Sequence, residues 1–203
     1  AGRPAVEPLY TFNDAMDSLK FIKPVLYDQL IELNDEMKFV FNDAGHILGS
    51  AITELWITEE DKTSKIVFSG DLGVMDRPIL RNPTIIKKAD YVIMETTYGN
   101  RVHPSNSLDV TRLMDIIRDT AKRGGTTVIP SFAVGRTQEM LYFIRQIKEQ
   151  GLVHGHDGFT VYVDSPLANE ATTIFSENAY TCYDEEAMDL LNKGINPLSF
   201  QGL

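Results

Sequence analysis

The chain has 203 residues, of which 43% are hydrophobic and 24% charged, and its formal net charge at pH 7 is −10. This composition is ordinary for a globular protein, and no apolar run approaches the length of a membrane-spanning helix, so we expect no membrane partner. Because phosphate neutralisation drives simple electrostatic binding to nucleic acid, the acidic balance argues against autonomous RNA binding by these residues.

The first half of the chain carries short strand-like runs joined by polar turns. Thr11 and Asn13 are candidate N-caps for a helix over residues 14–22, which Pro24 ends. The pattern over residues 25–33 is ambiguous between a strand and a short helix. Strands are then predicted over residues 38–42, 51–58, 65–69 and 91–95. Their short connections indicate a meander, in which neighbouring strands pair in sequence order.

After Gly99 the pattern changes to helices that alternate with strands. Helices are predicted over residues 108–122 (capped from 105–107), over 136–150 and from about Leu167, with strands over 126–130 and 159–164. The second helix has four apolar residues on its buried face: Met140, Leu141, Ile144 and Ile147. Such alternation predicts a parallel, doubly wound arrangement, and the change near residue 102 predicts two parts, residues 1–102 and 103–203.

Three strand ends carry a residue that can bind a metal or move a proton, each near glycine. His46 lies in AGHILGS, Asp71 in SGDLG and Glu95 in ETTYG. Glycine permits a close approach of ligand to backbone, and flanking strands hold such a loop still. We therefore expect the three side chains to converge at one edge of a sheet.

Each of these residues also has a simpler interpretation. A lone loop histidine such as His46 is more often solvated or capping than a metal ligand. Asp71 fits an Asx turn that supports Gly73, and Glu95 fits a turn or capping carboxylate. The occurrence of all three motifs in one chain favours a site.

Four further residues are candidates for substrate binding. Ser131 and Arg136 flank a turn into a helix N-terminus, where unpaired N–H groups and a guanidinium suit phosphate. The alternative is an ordinary helix start with a surface arginine. Ser165 lies in a similar turn, although Pro166 can simply begin a helix there. Tyr98 can stack on a base or wedge its own loop, and the sequence favours neither.

The remaining histidines and the cysteine carry weaker signals. His103, His154 and His156 have no metal-ligand spacing, and the last two are expected to be exposed. Cys182 is the single cysteine, so it cannot form an internal disulfide, and we interpret it as structural. A chain without disulfides fits a reducing cytoplasm.

Together these motifs resemble the β-CASP branch of the metallo-β-lactamase superfamily, a branch of nucleic-acid-processing nucleases. AGHILGS resembles the third metal-binding motif of that family, SGD the fourth, and ETTYG the first motif specific to the β-CASP branch. PSFAVGR and DSPLA, over residues 130–136 and 164–168, also agree. The resemblance implies an α/β fold: part of an αββα sandwich over residues 1–102, then part of an alternating, Rossmann-like β-CASP domain over residues 103–203.

The resemblance also implies a function, that of a zinc-dependent RNA-processing nuclease that hydrolyses phosphodiester bonds with two zinc ions. His46 would bind one zinc ion, and Asp71 would bridge both as a ligand and catalytic residue. Glu95 would be catalytic by supporting a general-acid histidine that this chain lacks. The implied partner is single-stranded RNA, with DNA as the alternative. The sequence does not indicate an oligomeric state.

The chain departs from the family in two places. A His-x-His-x-Asp-His motif is absent before AGHILGS, and the later β-CASP histidine motifs are absent as well. We therefore expect an internal piece of a longer enzyme, inactive alone because its zinc ligand set is incomplete. The alternative is a catalytically inactive nucleic-acid-binding or scaffold module. A hydrolase of a thioester or lactam is disfavoured because PSFAVGR and DSPLA belong to the nucleic-acid-processing branch.

Overall fold

A computed structural model describes residues 8–102, 110–156 and 158–203, which form one five-stranded sheet and six α-helices. The strands are β1 (Ile31–Glu32), β2 (Met37–Asp43), β3 (Ala51–Glu59), β4 (Lys62–Phe68) and β5 (Tyr91–Ile93). The helices are α1 (Phe12–Ser18), α2 (Val110–Lys122), α3 (Arg136–Glu149), α4 (Pro166–Glu177), α5 (Ala179–Cys182) and α6 (Glu185–Asn192). The chain is thus a mixed α/β protein, as its sequence predicts.

The sheet follows the strand order β1-β2-β3-β4-β5, so the predicted pairing in sequence order is confirmed. Strands β1 to β4 pair antiparallel, whereas β5 lies parallel to β4. In this arrangement β2, β4 and β5 all end at the same edge of the sheet, beside the start of β3. The three motifs that follow those strands are therefore delivered to one edge.

The helix at the start of the chain is confirmed and begins slightly earlier than predicted. Thr11 is its N-cap: its hydroxyl accepts from Asp14 N at 3.3 Å, and its own N–H donates to Asp14 Oδ2 at 2.7 Å. This reciprocal pair is a capping box. A 3₁₀ turn, Leu19–Phe21, follows directly.

The helices of the second half are also confirmed. Helix α3 buries the four apolar residues expected of it: Met140, Leu141, Ile144 and Ile147. Pro166 is the first residue of α4, as its fixed backbone angle favours. The predicted cap at 105–107 and His103 lie outside the described residues. Cys182 is buried, and His154 and His156 are exposed.

The two strands predicted in the second half are wrong. Residues 126–130 and 159–164 are not strands in the structure, so the parallel, doubly wound arrangement is not formed by the described residues. A strand needs a ladder of hydrogen bonds to a neighbour. Val161 N donates a single bond of 2.8 Å to Gly202 O. Val128 and Tyr162 are 80% and 85% exposed, so neither segment is packed as a core strand would be.

The largest buried cluster draws on both sides of residue 102. Ile79 and Leu80, which precede residue 102, pack with α3, α4, α5, α6 and the C-terminal segment. The buried members of the cluster are Ile79, Leu80, Tyr142, Phe175, Ala179, Cys182, Tyr183, Ala187 and Leu198. The backbone joins the same elements: Asp184 N donates to Ile79 O at 2.8 Å. The proposed division into residues 1–102 and 103–203 stays a prediction.

None of the helices that the structure describes between residues 8 and 203 has the length and apolar character needed to cross a membrane.

Candidate active-site edge

The loop that carries His46 is fixed at both ends by hydrogen bonds with side chains. At its start, Asp43 Oδ1 accepts a hydrogen bond from Gly45 N at 2.8 Å. At its end, Ser50 Oγ accepts from His46 N at 3.1 Å, and Tyr27 donates its hydroxyl to Ser50 O at 2.8 Å. These bonds satisfy backbone groups that β2 and β3 no longer pair, so the half-buried His46 lies on a defined loop.

The loop of Asp71 packs directly against the loop of His46. Gly73 N donates to Ala44 O at 2.8 Å. A Cβ atom at Gly73 would overlap the carbonyl oxygen of Gly45 and lie 2.8 Å from His46 N. Only glycine leaves room for this backbone-to-backbone contact. Glycine at position 73 therefore brings the exposed Asp71 next to the His46 loop.

Glu95 is joined to the same edge by two hydrogen bonds. Its Oε1 accepts from Leu72 N at 2.8 Å, and its own N–H donates to Ser69 Oγ at 3.0 Å. The structure therefore brings together the loops of His46, Asp71 and Glu95, as their positions after three strands predict. Their roles as metal ligands and catalytic residues stay predictions.

Glu95 and Asp43 both accept a backbone hydrogen bond at this edge, but their pKa values are shifted in opposite directions. The Leu72 N–H holds the pKa of Glu95 below its ordinary value, and Thr97 and His46 act in the same direction. Burial raises the pKa of Asp43, although the Gly45 N–H and Arg81 oppose that shift. Glu95 is therefore ionised at neutral pH and accepts the hydrogen bond from Leu72 N.

The donor atoms at this edge are of the types that zinc accepts, because zinc is bound by imidazole nitrogen and carboxylate oxygen. However, the residues that the structure describes include no group of three or more His, Cys, Asp or Glu side chains able to hold a metal ion. A zinc site needs at least three protein ligands. His46 and Asp71 therefore fit part of a zinc site and do not by themselves fit a whole one.

The N-terminus of α3 lies against the His46 loop. Gly135 precedes the helix with φ 86°, and a Cβ atom there would lie 3.3 Å from Ile47 Cγ2. Arg136 Nη1 donates to Glu139 Oε2 at 2.7 Å. Arg136 is thus held by its own helix near the edge, while Ser131 is exposed in the segment before it.

The last two candidates occupy their own local turns. Ser165 is the N-cap of α4, and its Oγ accepts from Ala168 N at 3.2 Å. Tyr98 is exposed and stacks with Arg101, whose guanidinium carbon lies 4.5 Å from the ring centroid. Pro166 thus begins the helix, as the simpler interpretation of this turn predicts, and a contact of Ser165 or Tyr98 with substrate stays a prediction.

Two residues at this edge escaped the sequence analysis. Arg77 donates from Nη1 to His46 O and from Nη2 to Glu139 Oε2, both at 3.3 Å. Arg77 and Glu139 are 62 positions apart. No local spacing links them, although the presence of Glu139 on the buried face of α3 was a signal, because a buried carboxylate needs a cationic partner.

Comparison with known proteins supports the same family. The Beta-Casp domain model matches residues 137–203. A ribonuclease of Thermus thermophilus, TTHA0252, is 31% identical over 199 residues, which cover 97% of this chain and 43% of the relative. Residues 137–203 therefore belong to the Beta-Casp domain family.

Two further relatives are similar over most of this chain. The transcription termination factor FttA of Methanosarcina mazei is 33% identical over 89% of this chain and 28% of its own length. The endoribonuclease YSH1 of Eremothecium gossypii is 27% identical over the whole chain and 26% of its own length. The chain therefore spans less than half the length of each of these three relatives.

Proposed function

We propose that these residues form part of a zinc-dependent β-CASP nuclease that hydrolyses phosphodiester bonds in single-stranded RNA. The observation that carries the proposal is the convergence of three backbone-locked loops, which bear His46, Asp71 and Glu95, at one edge of the sheet. The names of the relatives, which include a ribonuclease and an endoribonuclease, support the choice of substrate.

His46 and Asp71 act in this proposal as two of the protein ligands. An imidazole and a carboxylate are suitable donors, and a carboxylate has the two oxygens that a bridge between paired metals requires. When bound, two zinc ions would supply a nucleophilic hydroxide and stabilise charge on the phosphate. The remaining ligands would have to come from outside residues 1–203, so the proposed activity requires a longer protein that supplies them.

Glu95 acts as an orienting acceptor. Its carboxylate is held in place by the Leu72 N–H and is ionised, so it cannot itself protonate a leaving group at neutral pH. It can instead accept a hydrogen bond from an imidazole and fix that ring in one tautomer. Arg136, Ser131, Ser165 and Tyr98 are proposed to contact the RNA backbone or bases.

Activity of the longer natural protein on a labelled single-stranded RNA tests the proposal. We expect His46→Ala and Asp71→Asn each to lower the cleavage rate by at least about 100-fold, since even partners behind the ligands cost about 10- to 100-fold. The matched control is His156→Ala, because His156 is exposed in a loop. Equal activity of His46→Ala and His156→Ala would refute the assignment.

A second function is favoured by the ligand count. With only His46 and Asp71 proposed as metal ligands among the residues that the structure describes, a catalytically inactive module that binds nucleic acid or acts as a scaffold has the same structural basis. The same assay separates the two functions when RNA binding is measured beside cleavage. Binding without cleavage by the longer protein, with or without added zinc, would select the inactive module.

A further inference from the structure

Glu139 places a negative charge in the interior, close to the His46 loop. Its side chain is only 8% exposed. One carboxylate oxygen, Oε2, accepts from Arg77 Nη2 at 3.3 Å and from Arg136 Nη1 at 2.7 Å. Because an unpaired buried charge is costly, this carboxylate requires at least one of the two arginines.

Arg77 is the arginine that reaches beyond the helix. Its second terminal nitrogen, Nη1, donates to the carbonyl oxygen of His46 at 3.3 Å. A guanidinium presents its donors in a rigid planar fork, so one side chain can hold two acceptors in a fixed relation. Arg77 thereby links the backbone of His46 to the carboxylate of Glu139 on α3.

A second contact places the same loop on the same helix. Ile47, the residue after His46, lies against Gly135 at the N-terminus of α3. Leu48 packs on the main buried cluster, to which Tyr142 of α3 belongs. Ile47 and Leu48 thus make apolar contacts with the helical part of the chain. The Arg77–Glu139 pair joins the same loop to α3.

We propose that Arg77 and Glu139 form a clamp that positions His46 against the N-terminus of α3. Arg77 is then a positioning residue, because it acts on His46 through the backbone and not on a substrate. The proposal rests on the proposed function only in treating His46 as a functional residue. The clamp itself concerns the conformation of residues 45–49 and can be tested without any activity.

Two conservative variants test the clamp. Arg77→Lys keeps the positive charge but replaces the fork with a single ammonium, which cannot hold both acceptors in the same geometry. Glu139→Gln keeps the shape of the side chain and removes its charge. Both variants should weaken the hydrogen bond from residue 77 to the His46 carbonyl oxygen, and both should leave the strands of the sheet intact.

Amide hydrogen exchange of the 203-residue chain, followed by NMR, gives the readout. We expect each variant to raise the exchange rates of residues 45–49 by at least about tenfold, the size expected for losing a hydrogen bond to a charged group. The amides of β3 should change by less than about twofold. The matched control is Arg118→Lys, which alters an ion pair with Asp115 within α2 and should leave residues 45–49 unchanged.

The double variant tests whether the two residues act as one unit. If they do, Arg77→Lys with Glu139→Gln should raise exchange in residues 45–49 by no more than the larger single effect. Independent, multiplying effects would contradict the clamp. So would an equal rise in β3, because that pattern shows general loss of stability rather than local release.

Different results would refute the clamp and the proposed function. If residues 45–49 respond as expected but the longer protein cleaves no RNA, the clamp stands and the function falls. If residues 45–49 do not respond, the clamp falls whatever the activity is. In an active longer protein, Arg77→Lys should lower RNA cleavage by about 10- to 100-fold, the range found for residues that orient ligands.

Discussion

The N–H of Leu72 donates a 2.8 Å hydrogen bond to Oε1 of Glu95, and this bond ties the loop of Asp71 to the end of β5. Strands β4 and β5 are parallel neighbours that end side by side, so the segments that follow them can contact each other. The Ser69 hydroxyl completes the tie by accepting from Glu95 N at 3.0 Å. One carboxylate thus connects two of the three motifs.

This bond predicts a pH-dependent contribution to stability. The pKa of Glu95 is lowered in the folded state, so its contribution is fully present above the unfolded-state pKa of about 4.3. The contribution is lost as the pH falls through the lower folded-state value. We therefore expect Glu95→Gln to have a smaller free energy of unfolding than the wild type at pH 7, and the difference to close below about pH 4.

Urea unfolding at pH 7, 5 and 3 measures this difference. Glu59→Gln, at the exposed end of β3, controls for the removal of one negative charge. A difference between Glu95→Gln and wild type that is the same at all three pH values would show that the hydrogen-bonded carboxylate is not its source.

Gly73 should tolerate no side chain. A methyl group there would overlap Gly45 O and approach His46 N to 2.8 Å, and overpacking of this kind typically costs about 1–3 kcal/mol. We expect Gly73→Ala to lower the free energy of unfolding by that amount. Gly158→Ala is the control, because a Cβ atom there meets nothing within 4 Å, and it should stay within about 0.5 kcal/mol of the wild type. Similar unfolding midpoints for the two variants would refute the close packing of the loops.

The core that spans residue 102 predicts strong coupling between the two halves. Leu80 is 7% exposed in a cluster otherwise built mainly from the helices after residue 135. We expect Leu80→Ala to cost about 2–5 kcal/mol and to lower the midpoint of one cooperative transition. Ile85→Ala, at a residue that is 75% exposed, should change stability by less than about 0.5 kcal/mol. Two separate transitions, only one of them shifted by Leu80→Ala, would show instead that the halves unfold independently.

Local sequence signals predicted most of the elements. Short strand-like runs between polar turns located β2, β3 and β4 to within about three residues, which is the usual uncertainty of element ends. Of the two candidate caps, Thr11 is the N-cap of α1 and Asn13 lies inside that helix, and Pro166 begins α4 as predicted. The convergence of His46, Asp71 and Glu95 was predictable because each follows the end of its strand by two or three residues, and a strand end fixes where so short a segment lies.

Non-local structure was not predictable in the same way. The segments 126–130 and 159–164 have strand-like composition, but a strand also requires a partner, and β propensity depends on that context. The pair of Arg77 and Glu139 has no local signature, since the two residues meet only after α3 packs on the sheet edge. Ile79 has φ 79°, an angle unusual for a β-branched residue, which no sequence pattern signalled.

The most direct test of the central claim is the zinc content of purified residues 1–203 after dialysis, measured beside cleavage of a labelled single-stranded RNA. The claim is that this chain contributes His46 and Asp71, but not a whole ligand set, to a nuclease site. Because stable zinc sites need at least three protein ligands, we expect well under one equivalent of zinc and intact RNA. The longer natural protein should hold two zinc ions and cleave. Robust zinc-dependent cleavage by residues 1–203, abolished by His46→Ala, would contradict the claim.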